Sequence, residues 1–208
     1  MLAVIDYGAG NLYSVCNTLD YLNIPHTVTA DAEALEQASG LILPGVGAFA
    51  DAMAKLGQAK LVEPIRQQAS QKPLLGICLG MQLLFETGYE FGTTPGLGLI
   101  PGTVERIQAP GLKIPHMGWN DVTLRRPCPL TKGIPTGSYF YFVHSFCANT
   151  PPEFVSFDTG YGQQVPALVT DGRLVFGAQF HPEKSAAVGL QLLRNFWEFT
   201  RERSGGTC

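Results

Sequence analysis

The sequence predicts an α/β fold: one domain with a central, largely parallel sheet flanked by helices, and additional mixed, antiparallel β elements in its second half. Three observations carry this. Short apolar runs alternate with amphipathic stretches up to Phe85, glycine-rich turns stand at the ends of those runs, and Gly and Pro loops with strand-like segments follow. At 208 residues the chain fits one ordinary domain, which buries roughly 70% of the surface its unfolded form exposes.

Leu2 to Ile5 form a first apolar strand, ended by Gly8-Ala9-Gly10, and Asn11 is placed to cap a helix carrying Leu12, Val15, Cys16, Leu19 and Leu22. A strand from His26 to Thr29, a helix from Asp31 to Ala38 and the strand Leu41 to Leu43 come next. Helical sequence then runs through Gln71, followed by the strand Leu74 to Ile77 and a helix from Met81. Repetition of this unit implies a sheet covered on both faces, with sites at the carboxyl ends of its strands.

Beyond Phe85 the strand-like segments are Val104 to Gln108, Asp121 to Leu124, Tyr139 to Val143, Phe154 to Phe157 and Ala167 to Thr170. Asp171-Gly172 reads as the turn of a hairpin whose second strand is Leu174 to Phe180. An amphipathic helix from Lys184 to Phe199 closes the chain, so the domain is expected over 1–200 and a frayed tail over 201–208.

Composition removes several classes of function. The net charge of -3, from 14 basic and 17 acidic residues without long runs, gives no footprint for nucleic acid or an anionic membrane. No apolar stretch is long enough to span a bilayer, and the N-terminus reads as neither signal nor transit peptide. The five cysteines are odd in number and lack a CxxC pair, which fits a reducing cytoplasm rather than a disulfide framework or a metal site.

Chemistry concentrates at Gly76-Ile77-Cys78-Leu79-Gly80. Glycines two before and two after a cysteine, where a buried strand turns into a helix, meet the steric demand of a nucleophile elbow. A thiolate there gains from the helix dipole, and the Leu79 N–H is placed to hold an oxyanion. The ordinary alternative, a buried apolar cysteine, does not need an elbow.

A base is needed, and four histidines offer one. His181 follows the apolar strand that ends at Phe180, and Pro182 pushes it out of helical conformation. In an extended His181-Pro182-Glu183 triplet, Glu183 points the same way and orients the imidazole. The loop Pro44-Gly45-Val46-Gly47 ends another strand and offers the N–H groups of Val46 and Gly47 as further oxyanion donors. It also satisfies GxGxxA with Ala50, but it begins with proline and lacks the acidic partner of a dinucleotide site. Gly8-Ala9-Gly10 lacks the third glycine, and a zinc deaminase would need a PCxxC after His181.

GICLGMQ around Cys78 and FHPEKS around His181 resemble the class I (triad) glutamine amidotransferases, over nearly the whole chain. The resemblance implies that the cysteine attacks the side-chain amide of L-glutamine, forms a glutamyl thioester and releases ammonia, without cofactor or metal. PGVGAF at 44 to 49, IPHMGWN at 114 to 120 and YFVHSF at 141 to 146 are similar to the glutaminase subunits of imidazole glycerol phosphate synthases. That implies a heterodimer with a (β/α)8-barrel cyclase subunit, glutamine contacts from Gly47, Gln82, His144 and Ser145, and an interface through Met117, Trp119, Asn120, Tyr141 and Lys184. A plainer reading of IPHMGWN is a core turn in which Trp119 packs and His116 only hydrogen-bonds. A partner-independent γ-glutamyl cysteine hydrolase and a binding module with a relic site are the rival functions.

Overall fold

Strand β1 (Leu2–Ile5) is apolar at every position because both its faces are covered. Ala3 and Ile5 enter one core with Leu35, Leu56 and Ile65; Leu2 and Val4 enter another with Val15, Leu192 and Phe196. The computed structural model, which describes residues 1–204, continues with α1 (Leu12–Tyr21), β2 (His26–Thr29), α2 (Ala32–Gln37) and β3 (Gly40–Gly45). Then come α3 (Phe49–Gln58), α4 (Val62–Ala69), β4 (Leu74–Cys78) and the single turn α5 (Leu79–Gln82). Helices α2, α3 and α4 therefore cover one face of the sheet.

The second half contains β5 (Thr87–Gly88), β6 (Thr94–Pro95), β7 (Thr103–Arg106), β8 (His116–Asp121) and β9 (Thr123–Leu124). It continues with β10 (Tyr139–His144), β11 (Phe146–Asn149), β12 (Val155–Gly160), β13 (Gln164–Thr170), β14 (Val175–Ala178) and α6 (Ala186–Ser204). α1 and α6 cover the other face. The main sheet has the order β2-β1-β3-β4-β14-β13-β12-β9, parallel from β2 to β14 and antiparallel beyond. The fold is thus the α/β architecture expected, with a two-stranded β8–β10 ribbon and a four-stranded β11-β7-β5-β6 sheet added by the second half.

Several boundaries differ from expectation. The helical run to Gln71 is two helices, broken at Lys60, whose φ is 57°. The helix after Cys78 begins at Leu79 and lasts one turn. IPHMGWN is not a core turn: His116 to Asp121 is a strand paired along its length with β10. Helix α6 begins at Ala186 rather than Lys184 and runs on through Ser204, past the expected end at Phe199; residues 205–208 of the expected tail lie outside the described residues. Among the described residues no helix is long and apolar enough to cross a membrane, and no cluster of His, Cys, Asp and Glu suits a metal ion.

Candidate active site

Three neighbouring parallel strands end together. Register pairs Gly45 of β3 with Cys78 of β4, and Ala178 of β14 with Ile77. The loops that follow, Val46–Gly47, Cys78–Leu79 and Gln179–His181, therefore emerge side by side, as sequence-distant residues must to form one site.

Cys78 has φ 56° and ψ -112°, a backbone conformation that costs a non-glycine residue about 1–3 kcal/mol. The glycines around it are steric requirements. A Cβ on Gly80 would run into the Leu43 carbonyl oxygen, one on Gly76 would lie 2.5 Å from the Gly80 oxygen, and one on Gly45 would lie 2.6 Å from the Gly80 nitrogen. β3, β4 and α5 can approach this closely only without those side chains. Cys78 is 7% exposed, and its Sγ lies 3.9 Å from the Val143 carbonyl oxygen and from Gln179 Nε2.

His181 and Glu183 meet behind the thiol. His181 Nδ1 is 2.8 Å from Glu183 Oε1, and both side chains are almost wholly buried. The carboxylate can only accept, so Nδ1 carries the hydrogen, while the buried Nε2 has no hydrogen-bond partner among the described residues. Burial opposes charge on this ring, but Cys78 and Glu183 outweigh it and raise the pKa to about 9. The route to this geometry differs from the extended triplet expected: Pro182–Lys184 forms a 3₁₀ turn, which suits a proline at its first position and swings Glu183 under the ring. The backbone of His181 is tied to Tyr141 directly and through Ser185. Its N–H donates to Tyr141 O at 2.9 Å, its carbonyl accepts from Ser185 Oγ at 2.6 Å, and that hydroxyl accepts from Tyr141 N at 3.0 Å.

A cavity of about 380 Å³ opens over Cys78 and His181, and Val46, Gly47, Leu79, Gln82, His144 and Ser145 all line it. Gly47, at φ 99°, has open space where a Cβ would stand. Two of the expected glutamine contacts are already occupied by protein groups. Gln82 Nε2 donates to Phe146 O at 2.9 Å and to Gln179 Oε1 at 3.0 Å, and both ring nitrogens of His144 are engaged.

The expected interface residues split between two faces. Met117 and Trp119 are more than half exposed on the outer face of the ribbon. The Trp119 and Tyr141 rings meet edge-on at 6.2 Å, and Lys184 Nζ lies 5.9 Å over the Tyr141 ring. Strand alternation turns Asn120 the other way, toward His116 and Gly160.

Four residues near the site were not anticipated. Asn11 stands at the N-cap of α1 as expected, but its side chain makes no cap hydrogen bond; its Nδ2 donates to Glu183 Oε1 at 3.5 Å. The buried Tyr7 hydroxyl has no hydrogen-bond partner among the described residues, and burial together with Cys78 holds its pKa far above the ordinary range. Gln179 is wholly buried beside the thiol, and Glu90 lines the cavity while accepting from Phe49 N at 2.8 Å. The turn at Gly8-Ala9-Gly10 was a usable signal for Tyr7 and Asn11, since it ends a strand of the same sheet. Of the other described cysteines, Cys147 has its thiol pushed up to about 11, chiefly by burial. That disfavours a thiolate there.

The family described as "Glutamine amidotransferase class-I" matches residues 3–199. The chain is 53% identical over 202 residues to "Imidazole glycerol phosphate synthase subunit HisH" of Moorella thermoacetica, covering 96% of this chain and 95% of the relative. It is 51% identical over 203 residues to the subunit of the same name from Shouchella clausii, covering 94% and 97%. Among solved structures, "Structure of PurLQS from Thermotoga maritima" superposes with a TM-score of 0.72 at 20% identity, over 95% of this chain and 97% of that one. Because the family match runs from the first strand into the last helix and these relatives exceed half identity, the chain belongs to the class I glutamine amidotransferases, and within them to the family of the imidazole glycerol phosphate synthase subunit HisH.

Proposed function

We propose that the chain hydrolyses L-glutamine to glutamate and ammonia at Cys78, and hands the ammonia to a (β/α)8-barrel cyclase subunit with which it forms a cytoplasmic heterodimer. The cyclase then makes imidazole glycerol phosphate and aminoimidazole carboxamide ribotide. The observation that carries the reading is the meeting of Cys78 and His181 over one cavity, with Glu183 2.8 Å behind the imidazole.

In this reading the Cys78 thiolate attacks the carbon of the side-chain amide. The oxygen of the tetrahedral intermediate gathers negative charge, for which the N–H groups of Leu79 and of the Val46–Gly47 loop are the donors. His181, holding its proton between Nε2 and the reacting atoms, protonates the departing nitrogen; the C–N bond breaks, ammonia leaves and a thioester remains. The now neutral imidazole takes a proton from water, whose oxygen attacks the thioester and releases glutamate and the thiolate. Glu183 keeps the hydrogen on Nδ1 throughout, so that Nε2 always faces the reaction. Gly47 and Ser145 border the amino-acid end of the substrate, and Gln82 and His144 shape the cavity wall. Met117, Trp119, Tyr141 and Lys184 form the docking face, with Asn120 supporting it from within.

The partner subunit supplies the test. Cys78→Ala should abolish glutamine-dependent synthesis by the complex and leave ammonia-dependent synthesis intact. Loss of both, or retention of the first, would overturn the assignment.

A further inference from the structure

The inner face of the β8–β10 ribbon carries two buried histidines that the chemistry above leaves without a proton-transfer task. His144 Nδ1 lies 2.8 Å from the Phe146 carbonyl oxygen, which can only accept. His144 Nε2 lies 2.9 Å from His116 Nδ1, and His116 Nε2 lies 3.2 Å from Asn120 Nδ2. The Asn120 amide is itself oriented, because Nδ2 also donates to Gly160 O at 3.0 Å and Oδ1 accepts from Asp121 N at 3.0 Å.

One proton arrangement satisfies every contact. Asn120 donates to His116, His116 donates to His144, and His144 donates to Phe146 O, with both rings neutral and both hydrogens on Nδ1. A proton added to either ring sets two donors against each other. Burial favours the neutral state, holding His116 down to about 4 and His144 to about 3. The His116 ring stacks on Phe142 of β10 at a centroid distance of 4.7 Å and on Tyr161, beyond β12, at 4.0 Å, which holds its plane in place.

Phe146 O is a shared acceptor. Gln82 Nε2 donates to it as well, and Gln82 also holds Gln179, whose Nε2 lies beside Cys78 Sγ. The chain of contacts therefore reaches from the ribbon to the thiol without a gap.

We propose that His116 and His144 are positioning residues: a directional pair of neutral imidazoles that ties the ribbon to the Phe146 carbonyl and sets the cavity wall when a partner presses on the ribbon's outer face. This rests on the partner reading above. His116→Phe keeps the ring and its stacking but neither nitrogen, whereas His116→Gln restores a donor and an acceptor. In the presence of saturating cyclase, His116→Phe should lose about 3- to 30-fold in stimulated glutaminase kcat, with unchanged Kd for the cyclase, and His116→Gln should recover part of it. Wild-type stimulation in the Phe variant overturns the relay alone. No stimulation of the wild-type chain overturns the partner reading, and the relay with it. A second measurement needs no variant: ¹⁵N NMR of the wild-type chain at neutral pH should show both rings as Nδ1–H tautomers, and an Nε2–H tautomer or an imidazolium at either ring overturns the proposal.

Discussion

Replacing Glu183 by Gln removes one charge and almost no volume from a carboxylate that is 1% exposed. In the intact protein the rise of the His181 pKa from 6.5 to about 9 corresponds to about 3 kcal/mol of preference for the imidazolium, after the opposing effect of burial. In the proposed mechanism the imidazolium is the acid that protonates the departing amide nitrogen, which leaves as ammonia. kcat/KM should therefore hold its plateau below the His181 pKa and fall as pH rises through about 9. The sign for stability is the same: the raised pKa contributes fully below 6.5, and the contribution is lost as pH rises through about 9. In Glu183→Gln, burial still disfavours the charged ring and only Cys78 favours it. The alkaline limb should move down by about 1 to 3 pH units, and kcat should fall about 10²- to 10⁴-fold as the ring loses its orienting partner. Initial rates of glutamate formation by the complex across neutral and alkaline pH measure both. An alkaline limb left at its wild-type position would refute the role given to Glu183.

Gly80→Ala places a methyl against the Leu43 carbonyl and should destabilise the fold by about 1–3 kcal/mol or more, read as a lower midpoint in denaturant; an unchanged midpoint would show that β3 and α5 give way freely. Ser185→Ala deletes the hydroxyl that joins Tyr141 N to His181 O in a fully buried position, leaving a backbone N–H unpaired. Its expected cost is about 1–3 kcal/mol, each kcal/mol worth about 2–4 °C in Tm for a chain of this size. A Tm equal to wild type would mean that water or a shifted backbone replaces the hydroxyl.

The parts of the fold legible in the sequence were those set by local chemistry. The apolar runs at Leu2, Leu41 and Leu74 mark strands buried on both faces, and Asp171-Gly172 marks a turn, because those properties need no distant partner. The elbow at Cys78 was legible for a similar reason: its glycines answer a crowding that any strand-to-helix turn of this kind imposes. What escaped depends on tertiary partners. His116 to Asp121 is a strand only because β10 pairs with it, and Pro182–Lys184 forms a turn where proline alone suggested extension. Asn11 had the residue type and position of a helix cap, yet its amide reaches Glu183, 172 positions away. Alternation along a strand could have separated Asn120 from Met117 and Trp119, had that strand been recognised.

The account turns on a covalent intermediate at one thiol. Acid quenching of the complex during turnover of isotopically labelled glutamine, followed by peptide mass analysis, reads it directly. The expected result is a labelled glutamyl group on the peptide containing Cys78, absent in Cys78→Ala. Label on Cys16, Cys128 or Cys147, or none at any cysteine while glutamate is still formed, would contradict the account.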